Sequence, residues 1–217
     1  MRSFLVYLQR RGLQASDALD VGANRGDWAR LAVSAYPDIR VAMIEPQAEM
    51  SPYLSAFCRS HPGSTWVPAA AGATVTEKEL ILWPDLAGSS FLQPIEGEPD
   101  RRHRRTVPIV TVDQLVQTGA VRIPQIAKLD VQGFELEVLR GAKTLLGTTE
   151  VFVIETSLVR PLVGQPLIDE VIAFMRSNGY RVFDMAGFLR RPSDGALGQI
   201  DVCFALEGGL LCRTENW

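Results

Sequence analysis

The stretch Ala18-Leu19-Asp20-Val21-Gly22-Ala23-Asn24-Arg25-Gly26 carries an apolar run into a glycine-punctuated turn, and a helix-like segment, Asp27 to Ala35, follows at once. A second apolar run, Val41-Ala42-Met43-Ile44, closes on Glu45-Pro46, roughly twenty positions after the turn. That layout suits a nucleoside: the turn passes beneath the ligand and the carboxylate of Glu45 accepts hydrogen bonds from two ribose hydroxyls. The details favour S-adenosylmethionine over a dinucleotide. A dinucleotide loop reads G-x-G-x-x-G, and its second glycine lets the backbone touch the pyrophosphate. Asn24 occupies that place, so close approach of a diphosphate is obstructed. Adenosylmethionine has no phosphate and asks only for a curved floor under its amino-acid and ribose parts. Asp20, Gly22, Asn24 and Gly26 are therefore assigned to the methionine end and Glu45 to the ribose, with Ala23 and Pro46 completing the turn and strand end.

A second group of ionisable residues stands in Lys128-Leu129-Asp130-Val131-Gln132-Gly133-Phe134-Glu135. A buried strand would deliver Asp130 to its C-terminal end, where ligands bind in open α/β sheets. Lys128, two residues earlier, shares that face of the strand. Gly133 permits a tight turn, and Glu135 falls in a first helical turn, where the dipole favours an anion. Glu155 ends another apolar run, Val151 to Thr156. Asp130, Lys128, Glu135 and Glu155 are the candidates for acceptor binding or proton removal. A carboxylate-rich pocket could hold a divalent cation, but no metal is expected.

Strands and helices must place these groups at one sheet edge. Apolar runs alternate with helix-period segments, which predicts a mostly parallel sheet of seven strands with helices on both faces. Strands are expected at 18–22, 41–45, 64–71, 126–131 and 151–156, with further extended pieces at 75–83 and 106–112. Helices are expected within 1–15 and at 27–35, 48–60, 136–146 and 167–177. Asn178-Gly179 closes the last in a C-cap pattern. The runs at 180–186 and 199–206 have no helix between them, so they form an antiparallel C-terminal hairpin. Residues 85–105 make a polar loop longer than a connection requires, expected to be mobile and functional.

The 217 residues fit a single α/β domain spanning 1–217. An apolar fraction of 47% with 22% charged residues matches a globular protein with a full core. A net charge of −3 argues against a surface that grips nucleic acid as a whole. Cys58, Cys203 and Cys212 are too few and too unevenly spaced for a disulfide framework or zinc site, so a reducing, cytoplasmic setting is the default. No run approaches the length needed to span a membrane, and no signal-peptide pattern is seen at the start.

Taken together, these motifs resemble the FkbM-type methyltransferases, adenosylmethionine-dependent enzymes of the Rossmann-like class. The resemblance covers residues 18–160. It rests on the turn above and Ile44-Glu45-Pro46, then on Ser89-Ser90-Phe91 and Val110-Thr111-Val112-Asp113-Gln114-Leu115. It continues through Lys128 to Glu135 and Leu139-Arg140-Gly141-Ala142 to Ile154-Glu155. It implies O-methylation of a hydroxyl on a sugar, polyketide or similar metabolite. Where such enzymes often carry an acidic or polar residue after the third strand, this chain has Ala69-Ala70-Ala71-Gly72, so a backbone contact at Ala70 is expected for the adenine.

An alcohol acceptor must lose a proton, which calls for a general base. His61 and His103 are the two histidines. His61 reads as a surface residue. His103 lies in Arg101-Arg102-His103-Arg104-Arg105, either a solvated charge run or a lid attracting an acidic or phosphorylated acceptor. A base-amine methyltransferase is disfavoured because Asp130-Val131-Gln132-Gly133 stands where an Asn/Asp-Pro-Pro-aromatic tetrapeptide belongs, and the pI near 5.5 adds to the objection. A non-catalytic adenosylmethionine-binding protein is the alternative. The expected partner is a small hydroxyl-bearing molecule, with neither nucleic acid nor membrane, and a homodimer is left open.

Overall fold

The apolar runs before the turn and before Glu45 become neighbouring parallel strands, β1 (Asp17–Val21) and β2 (Arg40–Ile44), in a computed structural model that describes residues 1–95 and 103–213. Every β1 side chain is buried, so helices must cover both of its faces. On one side lie α1 (Arg2–Arg10), α2 (Asp27–Ala35) and α3 (Ser51–Ser60), whose Leu5, Ala32 and Leu54 meet the sheet's Met43 and Val153. On the other lie α4 (Val112–Gln117), α5 (Glu135–Arg140) and α6 (Ile168–Ser177), with Leu139, Val171 and Met175 packed on Phe152 and Ile154.

The remaining strands of the main sheet are β3 (Thr65–Val67), β7 (Ile126–Leu129), β8 (Val151–Ser157), β9 (Tyr180–Arg190) and β10 (Leu197–Leu206). Their order is β3-β2-β1-β7-β8-β10-β9. Only β10 runs against its neighbours, as the missing helix before it requires. The chain builds outward from β1 to β3 and then returns to β7 on the other side. The switch point between β1 and β7 opens a crevice at the strands' C-terminal ends.

Four boundaries differ markedly from the sequence expectation. The strand expected at 64–71 breaks at Pro68, which has no N–H to give a ladder. Thr65–Val67 stays with β2, whereas Ala70–Ala71 forms β4 in a separate three-stranded sheet, β4-β6-β5, with β5 (Thr76–Leu82) and β6 (His103–Val110). The loop expected at 85–105 is therefore shorter at its end, since β6 already pairs His103 with Leu82. The expected strand 106–112 stops at Val110 and gives way to α4, where Thr111 Oγ1 accepts the Gln114 N–H at 3.1 Å. The helix expected at 136–146 ends at Arg140, because Gly141 lies flat on the Gly72 carbonyl. A Cβ at Gly141 would sit 2.0 Å from that oxygen. The following turn is held by the Asp113 carboxylate, which accepts from the Lys143 and Thr144 N–H groups at 3.1 and 2.8 Å.

Gly22 carries a similar constraint at the switch point. Its φ is +78°, and a Cβ there would lie 1.9 Å from the Asp130 carbonyl oxygen. Gly22→Ala therefore combines left-handed strain with backbone overlap and is expected to cost about 2–5 kcal/mol. Gly147 also has a positive φ, +84°, but a Cβ there meets nothing within 4 Å, so Gly147→Ala should cost only about 1–2 kcal/mol. Urea unfolding of both variants checks this, and equal losses would contradict it.

Candidate active site

A cavity of about 520 Å³ opens over the switch point, within the size range of small-molecule clefts. Its floor is the turn Gly22-Ala23-Asn24, with Asn24 at φ +46°. The Asn24 N–H donates to Glu45 Oε2 at 2.9 Å and the Gln47 N–H to Glu45 Oε1 at 2.9 Å. Two backbone donors thus fix the carboxylate at the end of β2 and leave each oxygen a lone pair for a further donor. Burial pushes the Glu45 pKa up, partly offset by those hydrogen bonds.

Asp20, near the end of β1, is fully buried under this floor; neither carboxylate oxygen has a donor at full hydrogen-bonding geometry, and the backbone N–H of Ala29 only tempers its rise in pKa. Burial drives its pKa up to about 7; the Lys128 ammonium opposes the rise, and the charges of Asp130 and Glu45 add to it. The indole N–H of Trp28, in the first turn of α2, is likewise buried at the cavity wall without an acceptor.

The second group is a connected network. β7 places Lys128 and Asp130 on one face, with Nζ 2.8 Å from Asp130 Oδ2. Gln132 adopts φ +52° and turns its amide back over the strand end, donating to Asp130 Oδ1 at 2.9 Å and Glu155 Oε2 at 2.8 Å. Gln199, brought alongside β8 by the β10 pairing, donates to the same Glu155 oxygen at 2.9 Å. Burial raises the Asp130 pKa, but the Lys128 charge and the hydrogen bonds outweigh it, leaving Asp130 below the usual carboxylate range. Burial and the neighbouring Asp130 charge push Glu155 well up. At neutral pH the pair keeps one proton, on Glu155.

Residues 86–92 roof the cavity. Ser90 pairs with Ile81 across the chain, and its hydroxyl donates to the Gln132 carbonyl at 2.7 Å. Gln47 Nε2 donates to the Leu86 carbonyl at 3.0 Å, and the Ser89 hydroxyl to Gln47 Oε1 at 3.3 Å.

Of the residues singled out from sequence, Asp20, Gly22, Ala23, Asn24, Glu45, Pro46, Ala70, Lys128, Asp130 and Glu155 converge on this cavity. Gly26 and Glu135 do not line it. Gly26, at φ +78°, starts α2 with its α-carbon turned toward Leu54. Glu135 turns back on its own helix start, where Oε1 accepts the Val131 and Gly133 N–H groups at 3.2 and 3.1 Å. Burial raises its pKa to about 7. In the basic run, Arg101, Arg102 and the His103 side chain lie outside the described residues. Arg104 pairs with Glu79, and Arg105 makes a two-pronged contact with Glu49 at 2.9 and 2.6 Å. Among the described residues no group of three or more His, Cys, Asp or Glu side chains is arranged to hold a metal ion.

Sequence reasoning missed Gln132, Gln199, Trp28 and Leu189, all at the cavity wall. Gln132 had a local signal, since it precedes Gly133 at a strand end. Gln199 and Leu189 had none, because the hairpin register alone brings them there.

The strand order with its reversed tenth strand is that of the Rossmann-like methyltransferases. Among solved structures of that class, the N-methyltransferase NodS from Bradyrhizobium japonicum superposes with a TM-score of 0.53 at 8% identity, over 95% of this chain and 94% of NodS. The 1,6-didemethyltoxoflavin-N1-methyltransferase of Burkholderia thailandensis, solved with its substrate and S-adenosylhomocysteine, gives 0.51 at 12% identity, over 95% and 76%. These likenesses establish the fold. The chain belongs to the FkbM methyltransferase family, whose domain matches residues 20–182. A curated relative, the hexuronic acid methyltransferase AglP of Haloferax volcanii, is 26% identical over 136 residues, 63% of this chain. The chain spans about half the length of AglP, the match covering 54% of it.

The buried Asp20 carboxylate gives a pH signature. Its pKa is near 7 when folded against an ordinary value of 3.8, so any stability it contributes is complete in acid and is lost as pH rises from about 4 to 7. Asp20→Asn removes that loss. Relative to the native chain, the variant should gain on the order of 3 kcal/mol at pH 8 and clearly less at pH 5. Urea unfolding at both pH values measures this; a difference independent of pH would contradict it.

Proposed function

We propose that this chain transfers a methyl group from S-adenosylmethionine to a hydroxyl of a small acceptor, most simply a sugar. The observation that carries the reading is the pair of carboxylates at the cavity floor. Asp20 is buried with no donor at full hydrogen-bonding geometry, and Glu45, held by the N–H groups of Asn24 and Gln47, lines the cavity beside it. Adenosylmethionine offers a partner to each, the α-ammonium of its zwitterionic amino-acid end for Asp20 and a ribose diol for Glu45. The small side chains of Ala23, Ala70 and Ala71 leave room along the wall for the adenine. When bound, the donor supplies a methyl group on a sulfonium, ready for in-line displacement.

The protein's own residues then have two tasks: alignment, and removal of the acceptor's proton. Asp130 is assigned as the proton acceptor, since the Lys128 ammonium keeps it ionised in a buried place. Lys128 and Gln132 hold it in one orientation. Glu155, protonated at neutral pH, can donate to the acceptor's ring oxygens while Gln199 fixes it. As the acceptor's hydroxyl oxygen takes up the methyl group that bound adenosylmethionine would supply, its proton would pass to Asp130. A sugar acceptor is supported by the relative AglP, which acts on hexuronic acid. A small acceptor rather than nucleic acid is supported by the net charge of −3. No helix among the described residues is long and apolar enough to cross a membrane. We read the chain as one domain in which residues 86–92 roof the cavity.

Incubation with methyl-labelled adenosylmethionine and a panel of hexoses and hexuronic acids, followed by mass spectrometry, tests the reaction directly. Glu45→Ala should weaken S-adenosylhomocysteine binding by about 1.5–3 kcal/mol for each charged hydrogen bond lost. Asp130→Asn should lower kcat by about 10²–10⁴ with little change in cofactor Kd. The reverse ranking of the two variants would overturn these roles.

A further inference from the structure

The cavity floor and inner wall are rich in carboxylates: Asp20, Glu45, Asp130 and Glu155. An acceptor bearing its own negative charge must therefore turn that charge outward, toward a cation at the rim. The arginines nearest in sequence do not serve, because Arg104 and Arg105 are already taken up by Glu79 and Glu49.

Lys78 has no such partner among the described residues. It lies on β5 two positions before Leu80, and the two share one face of the strand. Leu80 lines the cavity. Glu77 and Glu79 alternate onto the opposite face, where Glu79 meets Arg104. The Lys78 ammonium is exposed and stands 4.8 Å from the ring centroid of Phe134 and 5.9 Å from that of Phe91. Those rings pack on each other with centroids 5.0 Å apart, and Phe91 is itself part of the cavity wall. Phe134 is buried and Phe91 half-buried, and their ring faces hold the cation beside the cavity, next to the Phe91 that lines it. A cation held this way keeps its ammonium protons available to a carboxylate.

We infer that Lys78, seated on the Phe91–Phe134 pair, binds the carboxylate of an anionic sugar whose hydroxyl points inward to Asp130. The inference rests on the methyl-transfer reading above and narrows its acceptor to a uronate. Lys78 is thus a specificity-determining residue, separate from the groups that move the proton.

The test is a binding measurement that needs no turnover. The full chain is first titrated with S-adenosylhomocysteine. The loaded protein is then titrated with methyl β-glucuronide and with methyl β-glucoside, which differ only in the ring carboxylate. The native chain should bind the glucuronide about tenfold more tightly, with a margin that shrinks as salt is added. Lys78→Ala should abolish the margin by weakening the glucuronide alone, and Lys78→Arg should largely keep it. Equal binding of the two sugars by the native chain, no binding of either, or a margin untouched by Lys78→Ala would overturn the assignment of Lys78 while leaving the methyl-donor site standing. Failure of S-adenosylhomocysteine to bind at all would instead overturn the methyl-transfer reading, and this inference with it.

Discussion

The Lys128 ammonium, buried at the end of β7, is what allows so many carboxylates to share one sheet edge. It touches Asp130 directly, and its charge also pulls on Asp20, Glu155 and Asp201. Burial alone would strip Lys128 of its proton, but Asp130 and Asp20 hold its pKa above the ordinary value. Removing either member of such a pair leaves an uncompensated buried charge, which is far more costly than the pair itself. The arrangement therefore makes sense as a site, since a hydrophobic packing of the same volume would be at least as stable. Asp130 emerges ionised, Glu155 protonated and Asp20 poised near neutrality. Carboxylates of one chemical type have been driven apart by environment into different protonation states, which is the pattern of acid and base assignment in a reaction centre.

Backbone contact sets the precision of this edge. Gly22 rides over the Asp130 carbonyl, and Gly141 over the Gly72 carbonyl, at distances that exclude any side chain. The first contact locks the turn that floors the cavity to the strand end that carries Asp130. The second locks the start of β5's sheet to the end of α5. Glycines of the motifs are thus partly devices for bringing two backbones together. Asp113 belongs with them, since it spends its carboxylate on the turn after Gly141.

Much of this was legible in the chain because the signals are local. Asp20 to Asn24 and Glu45-Pro46 sit where a strand ends and a helix begins, and Asp130 ends a strand two residues after Lys128. Those positions follow from short-range pattern alone. Glu135 was less legible for the same reason: it follows Asp130 closely in sequence, yet its carboxylate folds onto the N–H groups of Val131 and Gly133. Gly26 serves the start of α2 rather than the cavity. Gln199 and Leu189 could not be read, because their place depends on the register between β8, β10 and β9 across long sequence separations. The break at Pro68 was visible in principle, but the run of alanines after it hid a change of sheet.

The central claim is that the floor between Asp20 and Glu45 seats a sulfonium nucleoside with its methyl directed at Asp130. A crystal structure of the chain with S-adenosylhomocysteine tests it most directly. The account predicts the ribose hydroxyls on the Glu45 carboxylate, the amino-acid end over Asp20, and the sulfur facing the Gln132 and Asp130 side of the cavity. A ligand bound elsewhere, or bound there with its sulfur turned away from Asp130, would contradict it.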